Sequence, residues 1–132
     1  MPVTYKEMED QTKMKLREEF TCPVELTHDM IKGKWKPIIL WLLRTGPISL
    51  ANLERRIEGI TQKMLLSQLK ELIAFGFVEK KEYTGYPLKV EYFLSYPKGH
   101  KIIAALEIMQ QIGIDHMKNA GNEHILKEKG II

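Results

Sequence analysis

The chain changes its hydrophobic period at Gly76, and this change is the strongest constraint on its fold. Before Gly76, apolar residues recur at intervals of three and four, which is the spacing of amphipathic helices. After Gly76, apolar and polar residues alternate, which is the spacing of half-buried strands. The elements predicted from these patterns are helices over residues 34–44, 49–57 and 61–75, followed by strands over residues 77–84 and 88–94.

Local signals mark where the helices over residues 49–57 and 61–75 begin and where the turn between them lies. Ser49 and Thr61 are suitable N-caps, because a hydroxyl oxygen can accept a hydrogen bond from the first turn of a helix. The turn between the two helices is short and contains Gly59. Two helices joined by such a turn predict a helix-turn-helix, and a hairpin directly after the second helix makes it winged. The predicted fold class is therefore α+β, mostly α, with a three-helix core and a β-hairpin wing.

The apolar stripes also predict which side chains form the core. In the helix over residues 61–75, Leu65, Leu69 and Leu72 form the inner stripe. The other positions predicted for burial are Val24, Leu26, Met30 and Ile31 in a short helix over residues 23–32, Trp35, Ile38, Ile39, Leu42 and Leu43 in the helix over residues 34–44, Leu50, Leu53 and Ile57 in the helix over residues 49–57, and Ile102, Ile103, Leu106, Met109 and Met117 in a helix over residues 97–118.

Both ends of the chain lie outside the winged unit. Residues 4–20 lack Pro and Gly and predict a helix whose apolar stripe, Tyr5 to Leu16, is thin. Such a helix needs a partner surface, from its own domain or from another subunit. The tail from Ala120 is short and polar, and we expect it to be loose until Ile131.

Length and composition narrow the class of protein. The 132 residues fit one compact domain, and the net charge is only +3. The basic excess lies in residues 21–119, which hold 14 Lys and Arg against 10 Asp and Glu. A single cysteine excludes a disulfide within the chain and a cysteine-rich zinc site. No apolar run reaches membrane-spanning length and no secretory signal is visible, so we expect a cytoplasmic protein without membrane contact.

The helix over residues 61–75 is the element that would read DNA in a winged helix-turn-helix. Its outer residues near the N-terminus would meet base edges in the major groove, while the wing and the preceding helix would meet the backbone or the minor groove. The alternative is a winged helix that binds only proteins. The candidate DNA-binding residues are Arg55, Arg56, Thr61, Gln62, Lys63, Ser67, Lys70, Lys80, Lys81, Tyr86 and Lys89.

Ordered sequence blocks give the chain a resemblance to one family. It resembles the HxlR-type winged-helix transcriptional regulators of bacteria and archaea. The resemblance implies a homodimer on a pseudo-palindromic promoter site, with residues 1–20 as an N-terminal dimerisation helix, 21–96 as the DNA-binding domain and 97–132 as a C-terminal dimerisation helix and tail. The blocks that carry it are Cys22-Pro23-Val24, Gly33-Lys34-Trp35, Gly59-Ile60-Thr61-Gln62-Lys63-Met64-Leu65, Glu71-Leu72, Gly76, Tyr83, Pro87, Val90-Glu91-Tyr92 and Leu94-Ser95.

Cys22 is the one residue whose side chain has the thiol chemistry of an oxidant or electrophile sensor. Some members of the family that the chain resembles sense oxidants or electrophiles through a thiol in this Cys-Pro position. A thiolate that precedes a helix also gains from the helix dipole. The alternative is a small buried apolar residue. With one cysteine per chain, oxidation would give an intersubunit disulfide, a mixed disulfide or a sulfenic acid.

Other kinds of site have weaker support. The four histidines match no metal-ligand spacing, so we expect solvated surface residues and no metal. The chain lacks a phosphate-binding glycine loop, a nucleophile elbow and a paired-carboxylate motif, so we expect neither an enzyme nor a cofactor. Several methionines, among them Met8, Met14, Met109 and Met117, could line a pocket for a small-molecule effector, although core filling is the alternative.

Overall fold

The architecture follows from a computed structural model that describes residues 17–132. Within this range, no helix is long and apolar enough to cross a membrane. The mostly helical winged-helix fold is confirmed. Its elements are α1 (Val24–Ile31), α2 (Lys36–Leu42), a 3-10 turn (Leu43–Thr45), β1 (Ile48–Ser49), α3 (Leu50–Arg56), α4 (Gln62–Ala74), β2 (Val78–Tyr83), β3 (Lys89–Leu94), α5 (Lys98–Asn119) and α6 (Glu123–Glu128).

The predicted caps and turn of the helix-turn-helix are confirmed. The Ser49 hydroxyl accepts a hydrogen bond from the Asn52 backbone N–H, and the Thr61 hydroxyl accepts one from the Met64 N–H, both at 3.2 Å. Gly59 has a φ of +85°, a backbone conformation that favours glycine. These three local features fix where α3 begins, where the turn after it lies and where α4 begins.

The wing belongs to a three-stranded antiparallel sheet with the order β1-β3-β2. β2 and β3 form the predicted hairpin, in which Val78 lies opposite Leu94 and Tyr83 lies opposite Lys89. β1 was not predicted, because two residues are too few to show alternation. It ties the chain before α3 to the hairpin.

The core lies between α2, α3, α4, the sheet and the start of α5. The inner stripe of α4 is confirmed, since Leu65, Leu69 and Leu72 are at most 1% exposed. Three predictions of burial are wrong, one of them for Met109, which is 53% exposed on α5. Val24 is exposed at the start of α1, and Ile38 is exposed on α2, where Leu40 is buried instead. α2 packs against both α4 and α5. Leu40 belongs to the core that these helices enclose.

The C-terminal segment is more ordered than predicted. α5 ends in a Schellman motif, in which Gly121 has a φ of +80° and the Asn122 N–H donates to the Met117 carbonyl at 2.8 Å. The chain then reverses into α6, where Leu126 is 3% exposed. The expectation of a loose tail was therefore wrong, because one apolar side chain and a glycine turn suffice to fold this segment back.

The predicted N-terminal helix over residues 4–20 lies mostly outside the described residues, and residues 17–20 are not helical. Arg17 nevertheless connects this segment to α1. Its guanidinium donates two hydrogen bonds to the buried Asp29 carboxylate, at 2.6 and 2.8 Å. The hydrogen bond and charge of Arg17 lower the pKa of Asp29 from 3.8 to about 2, against the opposing effect of burial.

Candidate nucleic-acid interface

α4 presents the polar face that the sequence predicts. Thr61, Gln62, Lys63, Ser67 and Lys70 are all exposed, while the opposite side of the helix is buried in the core. A helix of 13 residues is about 20 Å long, and the N-cap side chain leaves other N–H groups of its first turn free for a phosphate. The arrangement is able to place short polar side chains in a major groove.

Two lysines of this face have no competing carboxylate. Among residues 17–132, neither Lys63 nor Lys70 has an acidic oxygen within 4.0 Å, whereas Lys80 pairs with Glu82 at 3.4 Å and Lys89 pairs with Glu91 at 3.7 Å. A lysine without an ion pair can bind a phosphate or a base edge without first breaking an internal contact. The exposed face of α4 therefore presents two lysines that are available for such a contact.

Arg55 and Arg56 lie at the end of α3, close to the helix-turn-helix turn. Both are exposed. The Arg55 guanidinium donates to the Asn52 side-chain oxygen one turn earlier, which holds it against α3. Arg55 also lines a shallow depression with Glu54 and Glu58, so its positive charge is partly offset by acids.

The strand register places the three lysines of the wing on two different faces of the sheet. Lys80 lies opposite Tyr92, on the face of the sheet that packs against α4. Lys81 lies opposite Glu91, and Lys89 lies opposite Tyr83, on the other face. Neighbouring side chains in a strand point to opposite faces, so Lys80 and Lys81 extend from opposite faces of the wing.

A small polar cluster covers the outer face of the wing. The Tyr83 hydroxyl donates to the Glu91 carboxylate at 2.8 Å, and this bond raises the pKa of Tyr83. The ammonium groups of Lys81 and Lys89 lie 5.0 and 5.2 Å from the centre of the Tyr83 ring. The cluster orders two cations at one place, which favours contact with a phosphate backbone over base reading.

A groove joins the start of α4 to the wing. It has a volume of about 720 Å³ and is lined by the N-terminal ends of α3 and α4 and by the wing residues Pro87 to Val90. Gln62 and Lys89, which are far apart in the sequence, both line it. The structure thus places these two predicted residues on one continuous surface.

Three exposed apolar residues on this side were missed as candidate contacts. Leu88 is 70% exposed next to the fully exposed Tyr86, while Leu66 and Met64 on α4 are 42% and 40% exposed. Apolar side chains in the major groove contact the methyl group of thymine, and in the minor groove they can wedge between bases. For Met64 and Leu66, the sequence signal was their position at the flanks of the polar face of α4.

A buried ion pair holds α4 against α2. The Lys36 ammonium bonds the Glu71 carboxylate, and their side chains are 7% and 29% exposed. Removing one partner of such a pair leaves an uncompensated charge in the protein interior. The pair therefore fixes the orientation of α4, although neither residue faces the polar surface described above.

Cys22 is exposed, so the expectation of a buried apolar residue at this position is wrong. The Glu25 carboxylate accepts hydrogen bonds from the backbone N–H groups of Thr21 and Cys22, at 2.6 and 3.1 Å. This is one half of a capping box, and it fixes the backbone at the start of α1. Across residues 17–132, no three His, Cys, Asp or Glu side chains come together as a metal site.

Comparison with known proteins identifies the fold and its general role. Residues 30–121 match the model of the HxlR-like helix-turn-helix family. The chain belongs to this family. The HTH-type transcriptional regulator YtcD of Bacillus subtilis is 34% identical over 117 residues, which cover 88% of this chain and 92% of that protein. This HxlR-like chain is therefore a transcriptional regulator of the winged-helix type.

Two solved structures of similar fold are those of a redox regulator and of a transcriptional regulator, each in its reduced form. The redox regulator HypR in its reduced form has a TM-score of 0.69 and 35% identity, and the match covers 75% of this chain and 96% of that one. The reduced form of the transcriptional regulator YodB from Bacillus subtilis has a TM-score of 0.61 and 32% identity, and the match covers 70% and 90% of the two chains.

Proposed function

We propose that this protein is a cytoplasmic, non-enzymatic regulator that binds a pseudo-palindromic promoter site as a homodimer. The observation that carries the proposal is the polar face of α4, where Gln62, Lys63 and Ser67 are exposed and where, among residues 17–132, Lys63 and Lys70 form no ion pair with an acid. Thr61, Arg55, Arg56 and the wing residues Lys80, Lys81, Tyr86 and Lys89 supply contacts to the backbone and the minor groove.

An apolar stripe on α5 that is not covered by any part of residues 17–132 supports the homodimer. Ile108, Met109 and Ile112 are 64%, 53% and 64% exposed, and the smaller Ala104 and Ala105 precede them on the same side. Met109 had been predicted for the core and lies on this stripe instead. Apolar side chains spaced in this way form a seam for a second helix, and the alanines allow it to approach closely.

The seam continues on α2. A groove of about 280 Å³ beside Met109 is lined by Ile38 and Trp41, and the exposed Ile38 adds to the apolar surface. We assign the seam to the α5 helix of a second copy, consistent with residues 97–132 as the C-terminal dimerisation segment. Two copies of α4 would then meet successive major grooves about 34 Å apart.

Ile112→Glu tests the dimer and its role in DNA binding together. We expect this variant to sediment as a monomer and to lose at least about tenfold in affinity for promoter DNA, because a buried carboxylate in the seam would be unpaired. Lys118→Glu adds a carboxylate at an exposed position on another side of α5 and should leave both properties unchanged. A dimeric Ile112→Glu protein with full affinity would exclude this seam as the interface.

We further propose that Cys22 makes the regulator responsive to oxidants or electrophiles. The thiol is exposed, and similar proteins include a redox regulator and a regulator solved after diamide treatment. In the simplest reaction, the Cys22 thiols of two chains form one disulfide, and diamide takes up the two protons and two electrons.

The Cys22 proposal is tested by labelling and by DNA binding. Iodoacetamide should alkylate Cys22 in the native protein, and diamide should change the DNA affinity of the wild-type protein but not of Cys22→Ser. A Cys22 thiol that stays unlabelled while the protein is folded would rule out the sensor role and leave the DNA-binding role untouched.

A further inference from the structure

The C-terminal end of α4 is joined to the start of α5 by side-chain donors. The last turn of α4 closes in a Schellman motif, in which the Phe77 N–H donates to the Leu72 carbonyl at 3.0 Å. The carbonyls of the two residues that follow α4, Phe75 and Gly76, accept hydrogen bonds from side chains outside the helix. Lys98 donates its ammonium to the Phe75 carbonyl, and the Ser95 hydroxyl donates to the Gly76 carbonyl.

Lys98 occupies a largely apolar setting for a charged group. Its ammonium lies 4.7 Å from the centre of the Phe77 ring and 3.9 Å from the Met30 sulfur. Burial lowers the pKa of Lys98. Phe75 is only 1% exposed, so water has little access to its carbonyl and Lys98 is the donor that satisfies it. A cation at this place also complements the negative end of the α4 dipole.

Gly99 allows α5 to approach the chain that follows α4. A Cβ at this position would lie 2.3 Å from the Phe77 carbonyl oxygen and 3.0 Å from the Ser95 hydroxyl. The same Phe77 carbonyl accepts a hydrogen bond from the Ser95 N–H at 2.9 Å. Backbone therefore packs directly on backbone here, and α5 cannot shift along this contact without breaking these bonds.

We propose that Lys98 and Gly99 are positioning residues, which fix the direction of α4 relative to the dimerisation helix α5 and so set the half-site spacing that the dimer accepts. The inference rests on the proposed function, in which α5 carries the seam between subunits and α4 reads DNA. Because the proposed seam connects the two recognition helices through α5 and its partner, an error at this junction is carried to both half-sites.

The test compares DNA duplexes that differ only in spacing. A duplex is selected with the wild-type protein from a random-sequence pool, and versions with one base pair added or removed between half-sites are made. We expect Lys98→Met to remain folded and dimeric. Its preference for the selected spacing, measured as the ratio of its affinities for the selected and the altered duplexes, should be at least about threefold smaller than that of the wild type. Lys98→Arg keeps a cationic donor and should restore the preference, and Lys118→Met, at an exposed lysine of the same helix, should not alter it.

Spacing preference separates positioning from stability. A variant that is merely less stable loses affinity for all three duplexes by the same factor. The ratio of the affinity for the selected duplex to the affinity for an altered spacing then stays unchanged, and such an unchanged ratio in Lys98→Met would overturn the inference. Gly99→Ala provides a second variant, in which the added methyl group displaces the Phe77 carbonyl. It should also reduce the ratio of the affinities for the selected and the altered spacings.

A distance measured in the free protein tests, without DNA, whether Lys98 couples the orientation of α4 to that of α5. Spin labels at Ala74→Cys and Glu107→Cys, in a Cys22→Ser background diluted into unlabelled protein, report the separation of α4 and α5. Lys98→Met should broaden or shift this distance, and an unchanged distribution would contradict the coupling. A wild-type protein that selects no duplex would refute the proposed function, while the distance would still decide the positioning role.

Discussion

Glu71→Ala is expected to lower the free energy of unfolding by about 3 kcal/mol, although the residue does not face DNA. The substitution leaves the Lys36 ammonium, whose side chain is 7% exposed, without its carboxylate. Urea denaturation monitored by circular dichroism measures the loss. Glu79→Ala removes an exposed carboxylate from β2 and should change the free energy by no more than about 0.5 kcal/mol.

The double variant Lys36→Met, Glu71→Ala shows whether the unpaired charge causes this loss. Because both charges are gone and an apolar chain fills the space, most of the stability should return. If the double variant is as unstable as Glu71→Ala, lost packing rather than the ion pair holds α4 against α2.

Lys63→Ala is expected to weaken binding to the promoter site by about 1–3 kcal/mol and to change the base preference. The lysine is exposed in the first turn of α4, where a groove-bound helix contacts base edges. Lys81→Ala is the matched comparison, since Lys81 lies on the outer face of the wing beside Tyr83. It should weaken binding equally on all sequences and reduce the salt slope by about 1.

Titrations of a labelled duplex at several salt concentrations, repeated with single-base variants, separate the two effects. If Lys63→Ala lowers the affinity for every duplex by one common factor, Lys63 contacts the backbone rather than the bases. If neither lysine affects binding, the DNA-binding surface lies elsewhere on the protein.

The elements of the winged unit were predictable because their signals are local. Ser49 and Thr61 are caps that act within three residues, Gly59 is a turn residue, and the leucine stripe of α4 repeats within one helix. Alternation alone would also have separated Lys80 from Lys81, since neighbours in a strand point to opposite faces. The density of charges along the sequence does not distinguish the two faces of the wing, whereas the parity of strand positions does.

The contacts that orient α4 could not be predicted because they join distant segments. A lysine such as Lys36 is ordinarily exposed, and only the position of Glu71 on α4, 35 residues later, makes its burial favourable. Lys98 and Phe75 are similarly distant in sequence. The apolar stripe on α5 was present in the sequence, but it competes there with the inner stripe of Ile102 and Leu106.

The central claim is sequence-selective DNA binding through α4, and a titration measures it most directly. The wild-type protein is titrated into a labelled duplex from upstream of its own coding sequence and into a shuffled duplex of equal composition, at several salt concentrations. We predict an affinity for the upstream duplex at least about 10³-fold higher than for the shuffled duplex, with both affinities falling as salt rises. Equal affinity for the two duplexes would contradict the claim and favour a winged helix that binds only proteins.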